Sequence, residues 1–95
     1  MVKEWAVQYP DGALWLRNWV KFTRAAHWSN LRVVRLAYPH ADGVDVKSGR
    51  IATVFNVNGN KYRLITAIHY NHGAVFAMMF LTHAEYSKDL WKEKL

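Results

Sequence analysis

Hydrophobic positions in the first forty residues recur with a helical period, and those in the second half recur as short apolar runs between turns. Lys3 to Tyr9 can form a short helix, stopped by Tyr9-Pro10-Asp11-Gly12, a turn signature with proline at its second position. From Ala13 to Trp28 the spacing predicts a longer helix. Trp15, Trp19, Phe22 and Ala26 fall on one stripe, and Leu16 and Val20 widen it, so this face should enter the core. Asp11 is placed to cap its start. Ser29 or Asn30 can cap a third, shorter helix that ends before Tyr38-Pro39. Tyr38 to Gly49 is the one long polar, turn-rich stretch, and it separates the two differently patterned halves.

The second half predicts antiparallel sheet. Arg50 to Val57 is rich in β-branched and aromatic residues. Asn58-Gly59 then supplies two residues suited to the positive φ angles of a tight hairpin. Lys61 to Tyr70 is the return strand, Asn71-His72-Gly73 a second turn, and Ala74 to Leu81 a third strand. Thr82-His83-Ala84-Glu85 fits a capping box that opens a C-terminal helix, with Tyr86 and Leu90 packing back on the body.

A two-residue loop at Asn58-Gly59 sets Val57 opposite Asn60, Phe55 opposite Tyr62 and Thr53 opposite Leu64. Together with Ile51 these make an apolar face for the helices. The other face then pairs Asn56 with Lys61 and Val54 with Arg63, leaving a polar strip of Asn56, Lys61 and Arg63. For the second hairpin a three-residue and a four-residue loop both fit, and they put opposite faces of the third strand into the core. In either register that strand ends beside Lys61 and Arg63, which brings His83 to them. The resulting fold class is α+β: N-terminal helices on one face of a small antiparallel sheet, with a short C-terminal helix.

Length and composition narrow what such a fold can do. At 95 residues the chain is expected to be a single domain spanning residues 1–95, and its 52% of apolar residues suffices for a core without staples. Having no cysteine excludes a disulfide scaffold, a thiolate zinc site and a thiol nucleophile. The longest apolar run, Ala74 to Leu81, is too short to span a bilayer, and no secretory pattern opens the chain. A cytoplasmic protein with no membrane association is the expectation. A net charge of +6 favours an acidic partner, nucleic acid first and an acidic protein second. The charge is concentrated: Gly12 to Ala41 holds Arg17, Lys21, Arg24, Arg32 and Arg35 and no carboxylate.

The usual phosphate-binding, dinucleotide, zinc-protease and serine-hydrolase motifs do not occur. The five histidines are scattered, so no metal site and no cofactor is predicted; His27, His40, His69 and His72 receive no role. One constellation remains: Asn56, Asn60, Lys61, Arg63, His83, Glu85 and Tyr86. It supplies a proton shuttle in His83, cations for a phosphate in Lys61 and Arg63, and a phenol donor in Tyr86. Those are the parts needed to cleave RNA through its own 2′-hydroxyl. Each has a plainer reading as well. The capping box explains Thr82 and Glu85 as structural. Asn60 suits a turn, Lys61 a solvated strand end, and Tyr86 either packing or a phosphate contact. The Trp15, Trp19 and Phe22 stripe reads as core, not as a platform for bases.

Val54-Phe-Asn-Val-Asn-Gly-Asn-Lys-Tyr-Arg-Leu-Ile65, followed by Thr82-His-Ala-Glu-Tyr86, resembles the HigB-type toxins of bacterial toxin–antitoxin systems, within the RelE-like group. Tyr9-Pro10, Trp19, Ala26, Trp28, Ala41-Asp42 and Gly49-Arg50 extend the resemblance over nearly the whole chain. The resemblance implies an mRNA interferase that cuts messenger RNA without a metal, commonly on the ribosome, and a helix-turn-helix antitoxin that silences it. It implies His83, Arg63, Lys61 and Tyr86 as catalytic residues. Asn56, Asn60, Arg50 and the helical stripe Arg17, Lys21 and Arg24 are the candidate RNA contacts. Two differences set expectations of their own. The chain begins where such toxins have already made a short strand, so that edge strand is expected to be absent. Ala67 and Met78 stand where many members carry basic residues, which thins the phosphate-binding surface and leaves a binding-only toxin as the alternative function.

Overall fold

The computed structural model describes residues 2–95. Three helices come first: α1 (Val2–Gln8), α2 (Ala13–Ala25) and α3 (Leu31–Ala37), with a 3-10 turn at Pro10–Gly12 between the first two. Four strands follow, β1 (Asp42–Asp45), β2 (Ile51–Val57), β3 (Tyr62–His69) and β4 (Ala74–Thr82), and then α4 (His83–Ser87) and a 3-10 turn at Leu90–Lys94. The strands form one antiparallel sheet in the order β1-β2-β3-β4. The α+β class is as the patterning predicts. No helix among the described residues is long and apolar enough to cross a membrane.

The helices cover one face of the sheet. Leu16 and Trp19 of α2 and Val34 of α3 meet Phe55, Val57, Tyr62, Leu64 and Phe80 in the main core. Trp28 and Tyr38 lie against Phe55 from the ends of their segments, with ring centroids 6.1 and 5.2 Å from it. This use of aromatics absorbs most of the tryptophan in the chain. Within the stripe predicted on α2, Phe22 stays 47% exposed at the margin of the core, with its ring against Trp28 and Tyr38, and α2 ends at Ala25 and not at Trp28. Ala26 turns extended, and Trp28 reaches the core from the connecting loop.

Caps sort the remaining ends. Asn30, not Ser29, caps α3, accepting a hydrogen bond from the Val33 amide at 3.1 Å. Gly12 occupies the N-cap of α2 and no side chain caps it, so Asp11 is free for another task. The predicted capping box is formed: Thr82 accepts from the Glu85 amide at 3.2 Å, and Glu85 accepts from the Thr82 amide at 2.9 Å.

The Tyr38–Gly49 stretch contains a strand that its composition concealed. β1 is only four residues long, carries an aspartate at each end, and pairs with β2 from Asp42↔Val54 to Asp45↔Ile51. Short length and charge are what an edge strand needs to resist pairing with other chains. Arg35 fastens it to α3, donating to the Ala41 carbonyl at 2.8 Å and approaching Asp42 at 3.4 Å. The N-terminal stretch makes no strand and is helical from Val2.

The first hairpin differs from expectation in register and agrees in facing. Asn58 and Gly59 both adopt positive φ, but the ladder closes at Val57↔Tyr62, so four residues make the loop. Phe55 therefore faces Leu64, and Asn56 faces Arg63. The pairing has slipped by two, and since side chains alternate with period two, every residue keeps its face. Ile51, which parity would put with the core, is 66% exposed, at the edge of the helix layer near Leu31 of α3. The second hairpin takes the four-residue option, Tyr70 to Gly73, from His69↔Ala74. A bulge then shifts the register between Ile65 and Thr66 and leaves Met78 without a partner.

The face away from the helices is not bare. Trp91, 4% exposed, packs there against Val46, Ala52, Val54 and Ile65 as a second small core. Of the two residues predicted to pack, Tyr86 lies against this core and Leu90 is 67% exposed. The helical period fails because α4 ends at Ser87 and Asp89 takes a left-handed conformation, after which Leu90 faces out and Trp91 faces in. The Lys47 amide donates to the Lys92 carbonyl at 3.1 Å, and Lys47 pairs with Glu93 at 3.2 Å, fastening this end to the β1–β2 turn.

Candidate active site

Arg63 stands on β3, on the face that carries Trp91, and its residue is only 8% exposed. Its guanidinium donates to the Tyr62 carbonyl at 3.1 Å and to Asn60 Oδ1 at 3.2 Å. Its carbon lies 5.3 Å from the centre of the Tyr86 ring. Among the described residues no carboxylate lies within ion-pair distance of it. A buried guanidinium is normally matched by an anion, because removing a charge from water is costly unless it is paired. Here two carbonyl oxygens and an aromatic face take the place of that anion, and the charge is left unneutralised.

The strand order carries the other groups to this point. β4 returns antiparallel to β3 with Tyr62↔Thr82, and the His83 amide donates to the Lys61 carbonyl at 3.1 Å. α4 therefore starts beside the hairpin loop. His83, exposed, and Tyr86 are three apart and share a side of α4. The Tyr86 ring stacks on Trp91, with centroids 5.4 Å apart and planes at 19°, and Trp91 Nε1 donates to the Tyr86 carbonyl at 3.1 Å. The Tyr86 ring thus contacts both groups, stacked on the indole of Trp91 and lying against the guanidinium of Arg63. Burial holds the Tyr86 hydroxyl above its ordinary pKa, with Asp42 adding to the effect and Arg63 opposing it. At neutral pH that hydroxyl is protonated and can donate a proton or a hydrogen bond, but not abstract one.

Lys61 is oriented differently from its place in the predicted strip. It lies in the loop, and its ammonium reaches the Asp11 carboxylate, on the helix side of the sheet. Tyr62 donates to the same carboxylate at 2.8 Å, and the Asn58 side-chain amide donates to the Asp11 carbonyl. The polar strip on the far face is therefore Asn56, Arg63 and the inward-leaning Asn60, without the Lys61 side chain. Asn56 is half-buried opposite Arg63. Arg17, Lys21 and Arg24 are exposed on α2, in the layer on the other side of the sheet from Arg63. Arg50 is exposed where β2 begins, at the far end of the Arg63 face.

Asp11 and Trp91 are the residues that sequence reasoning assigned otherwise or passed over. Asp11 read as a helix cap, and nothing local links it to a hairpin some fifty residues on. Its carboxyl is held below the usual value, first by the Lys61 ammonium and then by Tyr62, while Lys61 and Tyr62 are both raised by it. The contribution to stability is therefore complete between about pH 4 and pH 10. It is lost as acid protonates Asp11 through its lowered pKa, and as alkali deprotonates Tyr62 and Lys61 through their raised ones. We expect Asp11→Asn to be less stable than the parent at neutral pH, by a margin that solvent screening keeps small for so exposed a group. The gap should narrow below pH 4 in urea unfolding followed by circular dichroism; a constant gap would show that the carboxylate charge is not what binds.

A sequence model of the HigB toxin, described as the RelE-like toxic component of a toxin–antitoxin system, matches residues 13–89. The chain belongs to the HigB toxin family. A search of curated proteins gave no match. HigB membership makes the chain the toxic component of a toxin–antitoxin system and implies an antitoxin as its partner. The matched stretch contains Arg63, His83 and Tyr86. Asp11 and Trp91, which brace the HigB segment from either side, lie outside it.

Proposed function

We propose that residues 1–95 act as one toxin domain that cuts messenger RNA endonucleolytically and without a metal, at the ribosome and in the cytoplasm, until a helix-turn-helix antitoxin covers its basic surface. The observation that carries this reading is the buried, unneutralised Arg63 guanidinium with Tyr86 against it, close to where the His83 amide joins the hairpin at Lys61. A phosphodiester supplies the missing anion. In the reaction the 2′-hydroxyl attacks the adjacent phosphorus, the bond to the 5′-oxygen of the next nucleotide breaks, and a cyclic phosphate remains. Arg63 stabilises the negative charge that builds on the phosphoryl oxygens. His83, exposed at the start of α4, moves the proton as general acid or base. Tyr86, kept protonated by burial, donates to the phosphate or leaving oxygen. Lys61 adds positive potential from the rim once RNA competes with Asp11 for it. Asn56, Asn60, Arg50 and the stripe Arg17, Lys21 and Arg24 contact RNA more widely, message or ribosomal.

Arg63→Ala is expected to lower the rate of RNA cleavage by about 10–100-fold, the worth of charge-assisted hydrogen bonds. Arg63→Lys should recover only part of it, because an ammonium lacks the planar fork. Cleavage by Arg63→Ala at the parental rate, with circular dichroism unchanged, would remove Arg63 from the mechanism. A second reading, a toxin that binds antitoxin or ribosome and does not cut, is favoured by two observations. The Lys61 charge is committed to Asp11, and the strand positions Ala67 and Met78 carry no charge. Ribosome binding by the parent with no RNA products would decide for it.

A further inference from the structure

The face that bears Arg63 has a second concavity, at its other end. A hollow of about 230 Å³ lies between the start of β2, the middle of β3, the bulge of β4 and the last residues of the chain. Val46, Ala52, Ala67 and Met78 make its apolar lining, while Arg50 and Lys94 are exposed beside it. Neither cation forms an ion pair among the described residues. The hollow has a local cause. Ala67 ends at its Cβ, and Met78 is the unpaired residue of the bulge, a feature that re-aims a side chain out of the regular pleat. Opposite Ala67 stands Phe76, 52% exposed on the same face.

An apolar floor with two free cations at its margin suits a ligand with a flat ring and a nearby negative charge. A phosphate alone gains nothing from the floor, and a purely apolar ligand gains nothing from the cations. The volume lies below the roughly 300–1,000 Å³ that holds a drug-sized ligand, so it admits one ring system. Ala67 is four residues from Arg63 along β3, about 13 Å at ~3.3 Å per residue, and a few nucleotides of single strand bridge that distance.

We propose that this hollow is a nucleobase subsite: it takes one base of the bound RNA a few nucleotides from the scissile phosphate, with Arg50 and Lys94 on the flanking phosphates. The proposal rests on the RNA-cleaving reading for its context, but its test does not use cleavage. The four ribonucleoside 5′-monophosphates, and inorganic phosphate as control, are titrated into ¹⁵N-labelled protein while amide shifts are followed. At least one nucleotide should shift the amides of Ala52, Ala67 and Met78 saturably, and phosphate should not. Ala67→Phe, which fills the hollow, should abolish those shifts. Arg50→Ala, at an exposed position that leaves folding intact, should weaken binding about tenfold. The proposal is overturned if no nucleotide moves these amides, if phosphate moves them equally, or if both variants bind like the parent. A protein that never cuts RNA can pass this test, and one that cuts can fail it, so the two readings fall separately.

Discussion

Trp91→Ala is expected to lower folding stability by about 3 kcal/mol, the low end of the range for truncating a buried tryptophan. The indole is 4% exposed and is the centre of the second core, with Val46, Ala52, Val54 and Ile65 around it. The low end applies because the indole sits in the smaller of the two cores, with few buried neighbours to lose contact with it. In a domain of this size that loss lowers the melting temperature by on the order of 15 °C. The neighbouring Leu90→Ala should change stability by no more than about 0.5 kcal/mol, since Leu90 is exposed. Thermal denaturation of both variants separates the observed packing from the one that helical periodicity predicts. A larger loss at Leu90 than at Trp91 would contradict the structure. Trp91→Ala should also slow RNA cleavage, because Tyr86 loses the surface that holds it over Arg63. Trp91→Phe, which restores a stacking partner, should recover more of the activity than of the stability.

His83→Ala is expected to reduce RNA cleavage by about 10²–10⁴-fold, the usual worth of a positioned acid or base, with folding unchanged. The second clause has a structural ground. The bond that ties His83 to the hairpin runs from its backbone amide to the Lys61 carbonyl, and alanine keeps it. The imidazole is exposed, so no cavity forms. The capping box on either side belongs to Thr82 and Glu85. A measured loss of activity is therefore chemical and not a consequence of unfolding. Growth arrest on induction offers a rapid first readout, and the His83→Ala variant should grow like an uninduced culture.

Much of the fold was legible because its signals are local. The positive-φ pair Asn58-Gly59, the box Thr82-Glu85 and the cap at Asn30 each act within four residues, and each is present. The facing of β2 and β3 survived an error in loop length because alternation is insensitive to a slip of two. What stayed hidden depends on partners distant in sequence. β1 has the composition of a loop, and it is a strand only because β2 offers its edge. Asp11 looks like a cap until the hairpin brings Lys61 and Tyr62 to it. Trp91 is buried by one left-handed residue, Asp89, that no periodicity anticipates. In the candidate site, the types and rough placement of Arg63, His83 and Tyr86 came from spacing and family resemblance. The burial of Arg63 without a carboxylate needed three dimensions, because it depends on which side chains fail to reach it.

The central claim is that the Arg63–His83–Tyr86 site cuts messenger RNA. Its most direct test is translation of a defined message in a purified system, with new 5′ ends mapped by primer extension for the parent and for His83→Ala. The account predicts new ends with the parent alone, while ribosomes are translating. Absence of new ends with folded parent protein, or equal cutting by His83→Ala, would contradict it.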